Sequence, residues 1–372
     1  MSDRLEELST IGVSIWLDHL DRSRLTSGGL AAMIENDHVV GVTTNPSIFG
    51  KAISTGAAAY ATQVASLASG QADADFAVRE MTTQDVRNAC DVMAGVSART
   101  NGVDGRVSIE VDPRLARQTE PTIEQARALW AEVDRPNLLI KIPGTVEGLP
   151  AVTQAISEGI SVNVTLIFSV ERYRAVIDAW ASGLERRIAA GESVADIHSV
   201  ASFFVSRVDT AVDGQLDKIG GEQAAALRGK AGIANARLAW QAYQEFLRTP
   251  RWQVLEAAGA RPQRPLWAST GVKDAAFPDD MYVVELAGPG CVNTMPEPTL
   301  RAVADHGDLR GDTLDGMAAD SQQVFDTLTA LGIDLPDVFD TLEVEGVDKF
   351  KNAWEDLLAT VADALAADRG TT

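Results

Sequence analysis

Residues 137–142 read NLLIKI and lead into PGT at 143–145. The run is short and apolar, as a buried strand should be, and it is interrupted once, by Lys141. Comparable runs recur along the chain: SIWLD at 14–18, VVGVTTN at 39–45, RVSIEV at 106–111, SVNVTLIF at 161–168, HSVASFF at 198–204, PLWAS at 265–269 and MYVVEL at 281–286. Segments with helical period lie between them. The clearest spans 171–190, where Val170, Tyr173, Ile177, Trp180, Leu184 and Ile188 follow at spacings of three and four; others cover 222–247 and 122–133. Strands alternating with helices predict βα units and a parallel sheet. Eight units in roughly 290 residues fit a closed (β/α)8 TIM barrel, whose usual size is about 250 residues before insertions. The competitor is an open doubly wound sheet. It usually shows a glycine-rich turn after its first strand, and WLDHLDRS there has no glycine.

Composition narrows the function. The chain has 372 residues, with 53 Asp and Glu against 32 Lys and Arg, for a formal net charge of −21. Such an excess of acid argues against nucleic-acid binding, which needs a basic face, and against adsorption to anionic membranes. The acid is concentrated at one end. Residues 274–372 hold 21 acidic and 5 basic side chains, whereas the first 273 hold 32 and 27. Only Cys90 and Cys291 are present, in no metal-ligand spacing, which fits a reducing cytoplasm. The N-terminal MSDRLEELST is acidic where a signal peptide would be basic and then apolar, and no run approaches a membrane span. The expectation is a cytoplasmic protein with a single barrel domain over 1–372 and a lead-in at 1–13. An acidic helical segment at 296–372 is expected to pack on the barrel. Two helices are predicted there, near 314–331 and 347–366. The second carries Phe350, Trp354, Leu357, Leu358, Val361 and Leu365 on one stripe, and it is expected on the barrel's outside with its acids in solvent and turned away from the barrel mouth.

A barrel's reactive groups come from the C-terminal ends of its strands. In order, those ends offer Asp18, Thr44 and Asn45, Glu110, Lys141, Asn163 and Thr165, Ser202 and Phe204, and Ser269. Lys141 is the sharpest, one of seven lysines against 25 arginines. A lysine in an apolar strand is costly to keep charged and unpaired, and a neutral amine in a desolvated pocket is what Schiff-base chemistry with a ketone requires. It could instead snorkel or pair with a structural carboxylate, and Glu110 on the preceding strand is within plausible reach. Asp18 and Glu110 are candidate proton carriers, although Asp18 could equally cap a helix or pair with Arg22 or Arg24. Asn45 before Pro46 could be only a helix cap. The four histidines show no H-E-x-x-H or other ligand spacing, and there is no G-x-S-x-G elbow.

The chain resembles the transaldolases, within the class I Schiff-base aldolases. The motifs are WLD around Asp18, GVTTNPSIF at 41–49, VSIEVDPRLA at 107–116, LLIKIPGT at 138–145, NVTLIFS at 163–169, SFFVSR at 202–207 and WAST at 267–270. The resemblance runs from Trp16 to about Met295. It implies a (β/α)8 barrel in which Lys141 forms a Schiff base with a ketose phosphate. A dihydroxyacetone unit would pass from sedoheptulose 7-phosphate or fructose 6-phosphate to glyceraldehyde 3-phosphate or erythrose 4-phosphate, in the non-oxidative pentose phosphate pathway. By the same resemblance, Asp18 handles the C4-hydroxyl proton, and Glu110 with Thr165 and a held water serves dehydration. Asn45, Asn163 and Ser202 would hold substrate hydroxyls. No metal or organic cofactor is implied, and the partners are small sugar phosphates met by a monomer or homodimer.

The sequence departs from the family pattern at the phosphate. Arg207 matches a phosphate arginine, but the second cation usually follows the seventh-strand serine by two residues. Here Ser269 is followed by Thr270, Gly271, Val272 and then Lys273, which becomes the substitute; a surface lysine paired with Asp274 is the other reading. Fructose-6-phosphate aldolases, which release free dihydroxyacetone, share the barrel and lysine, but they tend to have tyrosine where this chain has Phe204. Phe204 and the length favour transfer over release. A silent sugar-phosphate-binding barrel would be expected to lack Lys141 or both carboxylates.

Overall fold

Eight parallel strands close on themselves in chain order: β1 Ser14–Leu17, β2 Gly41–Val42, β3 Arg106–Glu110, β4 Leu138–Pro143, β5 Val162–Ile167, β6 Ser199–Phe204, β7 Arg264–Ala268 and β8 Val292–Met295. The structure, a computed structural model, describes residues 3–370. Helices follow the strands and cover the outside, so the fold is a (β/α)8 TIM barrel with additional C-terminal helices. No helix among the described residues is long and apolar enough to cross a membrane. Cys90 and Cys291 are both buried and free.

Alternation along each strand sorts side chains between two environments. On β4, Leu138, Ile140 and Ile142 join the apolar layer under the helices, while Leu139 joins the barrel interior and Lys141 shares its side of the strand. The interior is apolar at its floor, where Trp16, Leu139, Val200, Leu266 and Val292 meet. Gly41 is required there, because a Cβ would lie 2.4 Å from the Trp16 indole. Further along the strands the interior becomes polar. Glu110, Lys141 and Asn163 are register partners on β3, β4 and β5, so they stand abreast.

Two expectations about single elements are corrected. The eighth strand is not at 281–286: Met281–Val284 forms one helical turn, and β8 lies at Val292–Met295, pairing with both β7 and β1. The helix expected over 222–247 is two, Gly221–Ala225 and Ala231–Leu247, separated around Gly229, whose φ is +69°. The lead-in, apart from residues 1 and 2, which lie outside the described residues, contains the helix Arg4–Ile11, capped by Asp3.

The largest correction concerns the acidic end. Residues 371 and 372 lie outside the described residues; before them come Glu297–His306, Ala318–Ala330 and one long helix, Leu335–Arg369. That last helix does not lie on the outside of the barrel with its acids turned from the mouth. It crosses the mouth, touching β5, the turn Pro113–Leu115 and the helix Ser206–Ile219. It then runs onto Pro46–Thr55, Ala57–Ser69 and Ala74–Arg99, three helices between β2 and β3 that the strand pattern left unassigned. Its stripe needs an apolar partner, and those helices supply it: Leu357, Val361 and Leu365 are all buried there. Close approach depends on Gly346. A Cβ there would be 3.1 Å from Leu166 Cδ2 and 3.3 Å from the Phe168 ring.

Candidate active site

The polar upper half of the barrel gathers the strand-end residues. Lys141 Nζ lies 3.4 Å from Glu110 Oε2 and donates to the Thr44 carbonyl at 3.0 Å. Both side chains are almost wholly enclosed, 6% and 3% exposed. The ion pair is too long for a good hydrogen bond, and both Glu110 oxygens are buried without a hydrogen-bond partner. Burial pushes the Glu110 carboxyl up to about 7, against the pull of Lys141. Thr165 Oγ1 is likewise buried and unpartnered. Unsatisfied buried groups cost about 1–3 kcal/mol each, and proteins retain them where chemistry uses them.

Asp18 does not take the structural roles open to it. Asp21 caps the helix Arg22–Thr26, Arg22 pairs with Asp85 at 2.7 Å and Arg24 with Glu297 at 2.5 Å. Asp18 instead accepts from Thr43 Oγ1 at 2.7 Å, and Thr43 lies 2.5 Å from Thr294 Oγ1. Burial raises the Asp18 pKa, held back first by Lys141 and then by the Thr43 hydroxyl.

Asn45 does cap the helix Pro46–Thr55, its Oδ1 accepting from Ile48 N at 3.0 Å, which leaves the amide nitrogen for other partners. It lines, with Phe49, Glu110, Gln125 and Trp354, a cavity of about 340 Å³ beside Glu110. Asn163 is the centre of a buried chain. Its Nδ2 donates to Ser108 Oγ at 3.0 Å, and its Oδ1 accepts from Ser202 Oγ at 2.7 Å. Thr165 follows on β5, where the ladder slips between Val164 and Ile167 and Leu166 takes a φ of +59°. A leucine in the left-handed region is strained, and such strain collects at functional sites.

Arg207, at the start of the helix Ser206–Ile219, has no ion pair among the described residues, and its Nη1 is buried and unpartnered. Burial lowers its pKa, opposed by Asp18, Glu110 and Glu345. Its guanidinium stands 5.0 Å from the Phe204 ring and 5.9 Å from Phe350. Phe204 in turn packs on Phe168 at 5.1 Å. Ser269 has a φ of +56°, and its hydroxyl lies 2.9 Å from that of Ser206, which joins the seventh-strand loop to the Arg207 helix. Lys273 stands apart, in a cleft shared with Thr210, Asp213, Gly214 and Arg228. Asp274 pairs not with it but with Arg228, at 2.8 Å.

Four contributors escape the sequence reading. Ser108 could have been found, two residues before Glu110 on the same face. Thr43 directly precedes the Thr44–Asn45 pair at the end of the second strand run. Thr294 was hidden by the misplaced eighth strand. Phe350 had a signal only for burial, and nothing in the chain shows that its ring would come 5.5 Å from Lys141 Nζ.

A parallel barrel with a buried lysine between carboxylates at its C-terminal mouth has the architecture of a lysine-dependent aldolase. The model of the Transaldolase/Fructose-6-phosphate aldolase family matches residues 15–361, and the chain belongs to that family. The chain is similar to the transaldolase of Acidothermus cellulolyticus, 61% identical over 369 residues and 99% of both chains. It is 58% identical to that of Thermobifida fusca over 99% of this chain and 100% of the relative. With that of Mycolicibacterium smegmatis it shares 60% identity over 98% of each. These matches take in the C-terminal helix, beyond the Met295 limit of the motif resemblance.

Proposed function

We propose that the chain acts as a transaldolase of the non-oxidative pentose phosphate pathway. It moves a dihydroxyacetone unit from sedoheptulose 7-phosphate or fructose 6-phosphate to glyceraldehyde 3-phosphate or erythrose 4-phosphate. The observation that carries the reading is Lys141: an amine 6% exposed, 3.4 Å from one carboxylate and within electrostatic reach of a second, Asp18.

In this reading the amine form of Lys141 adds to the ketone carbonyl. Loss of water from the carbinolamine follows, with Glu110 and Thr165 relaying protons through a water, and gives the iminium. Asp18 takes the C4-hydroxyl proton while the C3–C4 bond breaks. The bonding electrons pass into the iminium to form the enamine, and the aldehyde leaves. The acceptor aldehyde then reacts with the enamine, Asp18 returns the proton, and hydrolysis frees Lys141. Asn45, Asn163 and Ser202 hold hydroxyls of the three-carbon unit, and Phe204 walls it. Arg207, with Ser269 beside it, takes the phosphate, and Lys273 adds charge from the same loop. Each positioned acid or base contributes about 10²–10⁴-fold. In this reading the enzyme works in the cytoplasm, as a monomer or homodimer.

Borohydride trapping with fructose 6-phosphate, followed by peptide mass analysis, tests the mechanism. A reduced three-carbon adduct on Lys141 is expected. No adduct, with activity surviving Lys141→Ala, would sink it. Release of free dihydroxyacetone at the steady-state rate without acceptor would favour the fructose-6-phosphate aldolase reading; the phenyl ring of Phe204, with no hydroxyl to guide water, supports transfer.

A further inference from the structure

We propose that the floor of the barrel, at the opposite end from Lys141, carries a second anion site for a phosphate oxyanion, held by Arg106, Arg261, Arg264 and His198. Arg106 opens β3, four residues before Glu110, which places it about 13 Å down the same strand at ~3.3 Å per residue. Arg264 opens β7, His198 directly precedes β6, and Arg261 lies in the loop before β7. All four line one cavity of about 100 Å³.

The charges there do not balance. Arg264 pairs with Asp104 at 2.8 Å, but that carboxylate also accepts from Ser14 Oγ at 2.8 Å and Trp16 Nε1 at 3.1 Å. Arg106 is 3% exposed, yet it bonds only to carbonyls, Gly102 at 2.6 Å and Pro136 at 2.8 Å. Arg261 bonds only to the Ala195 carbonyl, at 3.1 Å. Among the described residues, three guanidiniums therefore meet one carboxylate, a local excess of two positive charges in a chain of net −21. Clustering buried like charges is expensive unless a counter-charge joins them.

The geometry prepares a place for that counter-charge. A Cβ on Gly102 would fall 2.8 Å from Arg106 Nη2 and 2.9 Å from His198 Nε2, so both nitrogens lie against the same glycine while their side chains line the cavity. Neither nitrogen has a hydrogen-bond partner among the described residues. Burial first, and the three arginines after it, push the His198 pKa down to about 3, so the ring stays neutral and can still offer an N–H to an anion. Arginine forks match phosphate oxygens, and the excess of two fits a dianion. The cavity, about 100 Å³, has room for a phosphate oxyanion between these groups. An anion there would tie together the starts of β3, β6 and β7 and make barrel stability depend on phosphate.

The test uses the full chain carrying Arg207→Ala and Lys273→Ala, so that neither cation proposed for the catalytic phosphate remains, at constant ionic strength set with chloride. Titration with inorganic phosphate is expected to raise the Tm saturably by several degrees. It should also move the His198 ring signals in the NMR spectrum, while His19, His38 and His306 serve as controls. Adding Arg261→Ala, at a partly exposed position, should abolish both effects. Glycerol 3-phosphate in place of phosphate identifies the source: a matching response assigns the site to a phosphate monoester, and none assigns it to the free ion, each with the same contacts. The proposal is overturned if phosphate leaves the His198 signals in place, if chloride alone moves them equally, or if the folded Arg261→Ala chain responds undiminished.

Discussion

Phe350, on the C-terminal helix, faces Lys141, on β4, with its ring centroid 5.5 Å from the ammonium nitrogen. A residue 209 positions away in sequence thus roofs the amine that the mechanism uses. The enamine of the proposed reaction must wait for an acceptor without meeting water, and an apolar roof serves that need.

Removing the roof should show in how the reaction divides. Phe350→Ala is expected to release free dihydroxyacetone from fructose 6-phosphate without acceptor, and to lower transfer by about tenfold or more, or ≥1.4 kcal/mol in the barrier. The lost packing should also lower the Tm, since Phe→Ala in a core costs about 3–5 kcal/mol. An unchanged ratio of release to transfer would make the contact structural only.

Glu110 should govern the pH dependence. Its carboxyl holds a proton up to about 7 in the fold, above the ordinary glutamate value of 4.5. Single-turnover imine formation should therefore bend near pH 7, and Glu110→Gln should lose the bend and roughly 10²–10⁴-fold in rate. The stability sign follows from linkage. A raised folded value means the fold binds a proton the unfolded chain has released, so this contribution is full below about 4.5 and is lost as pH rises through 7. The Tm of Glu110→Gln relative to the parent should accordingly climb between pH 5 and 8.

The two cations proposed for the phosphate should separate kinetically. Arg207→Ala removes a buried guanidinium with a free Nη1. It should raise KM for phosphorylated substrates by roughly 10²-fold, the size of losing a charge-assisted hydrogen bond of about 3 kcal/mol. Lys273→Ala should have a smaller effect confined to phosphorylated substrates, because its side chain lies in the neighbouring cleft. Equal effects on phosphorylated and unphosphorylated substrates would return Lys273 to the surface.

Gly346→Ala tests how closely the helix must lie. Alanine normally favours a helix over glycine by about 1 kcal/mol. Here the new methyl would meet Leu166 and Phe168, and neither yields easily: Leu166 is held at a φ of +59°, and Phe168 is packed on Phe204. The expected result is no gain in Tm and a several-fold fall in kcat/KM, read by thermal melts and steady-state kinetics.

Much of the site was legible because Glu110, Lys141, Asn163 and Ser202 are polar residues set inside apolar runs, and alternation alone sends them to one face. The eighth strand was not. MYVVEL has strand-like composition but forms a single helical turn, while VNTM reads as polar because Thr294 faces the site and Asn293 bonds to the Tyr282 carbonyl at 3.1 Å. The final helix was legible as a helix but not as a roof. Periodicity identifies a stripe to be buried, and what buries it is decided by three helices between β2 and β3, far away in sequence.

The C-terminal helix also sets an order of events during synthesis. Lys141 and its carboxylates leave the ribosome first, and the residue that covers them is translated about 200 residues later. A barrel that closed before that point would expose a reactive amine to every aldehyde and ketone in the cell. With the roof placed last, guarded catalysis and the arrival of the distal end of the chain become a single step, and a chain trimmed of this helix would keep its lysine without its roof.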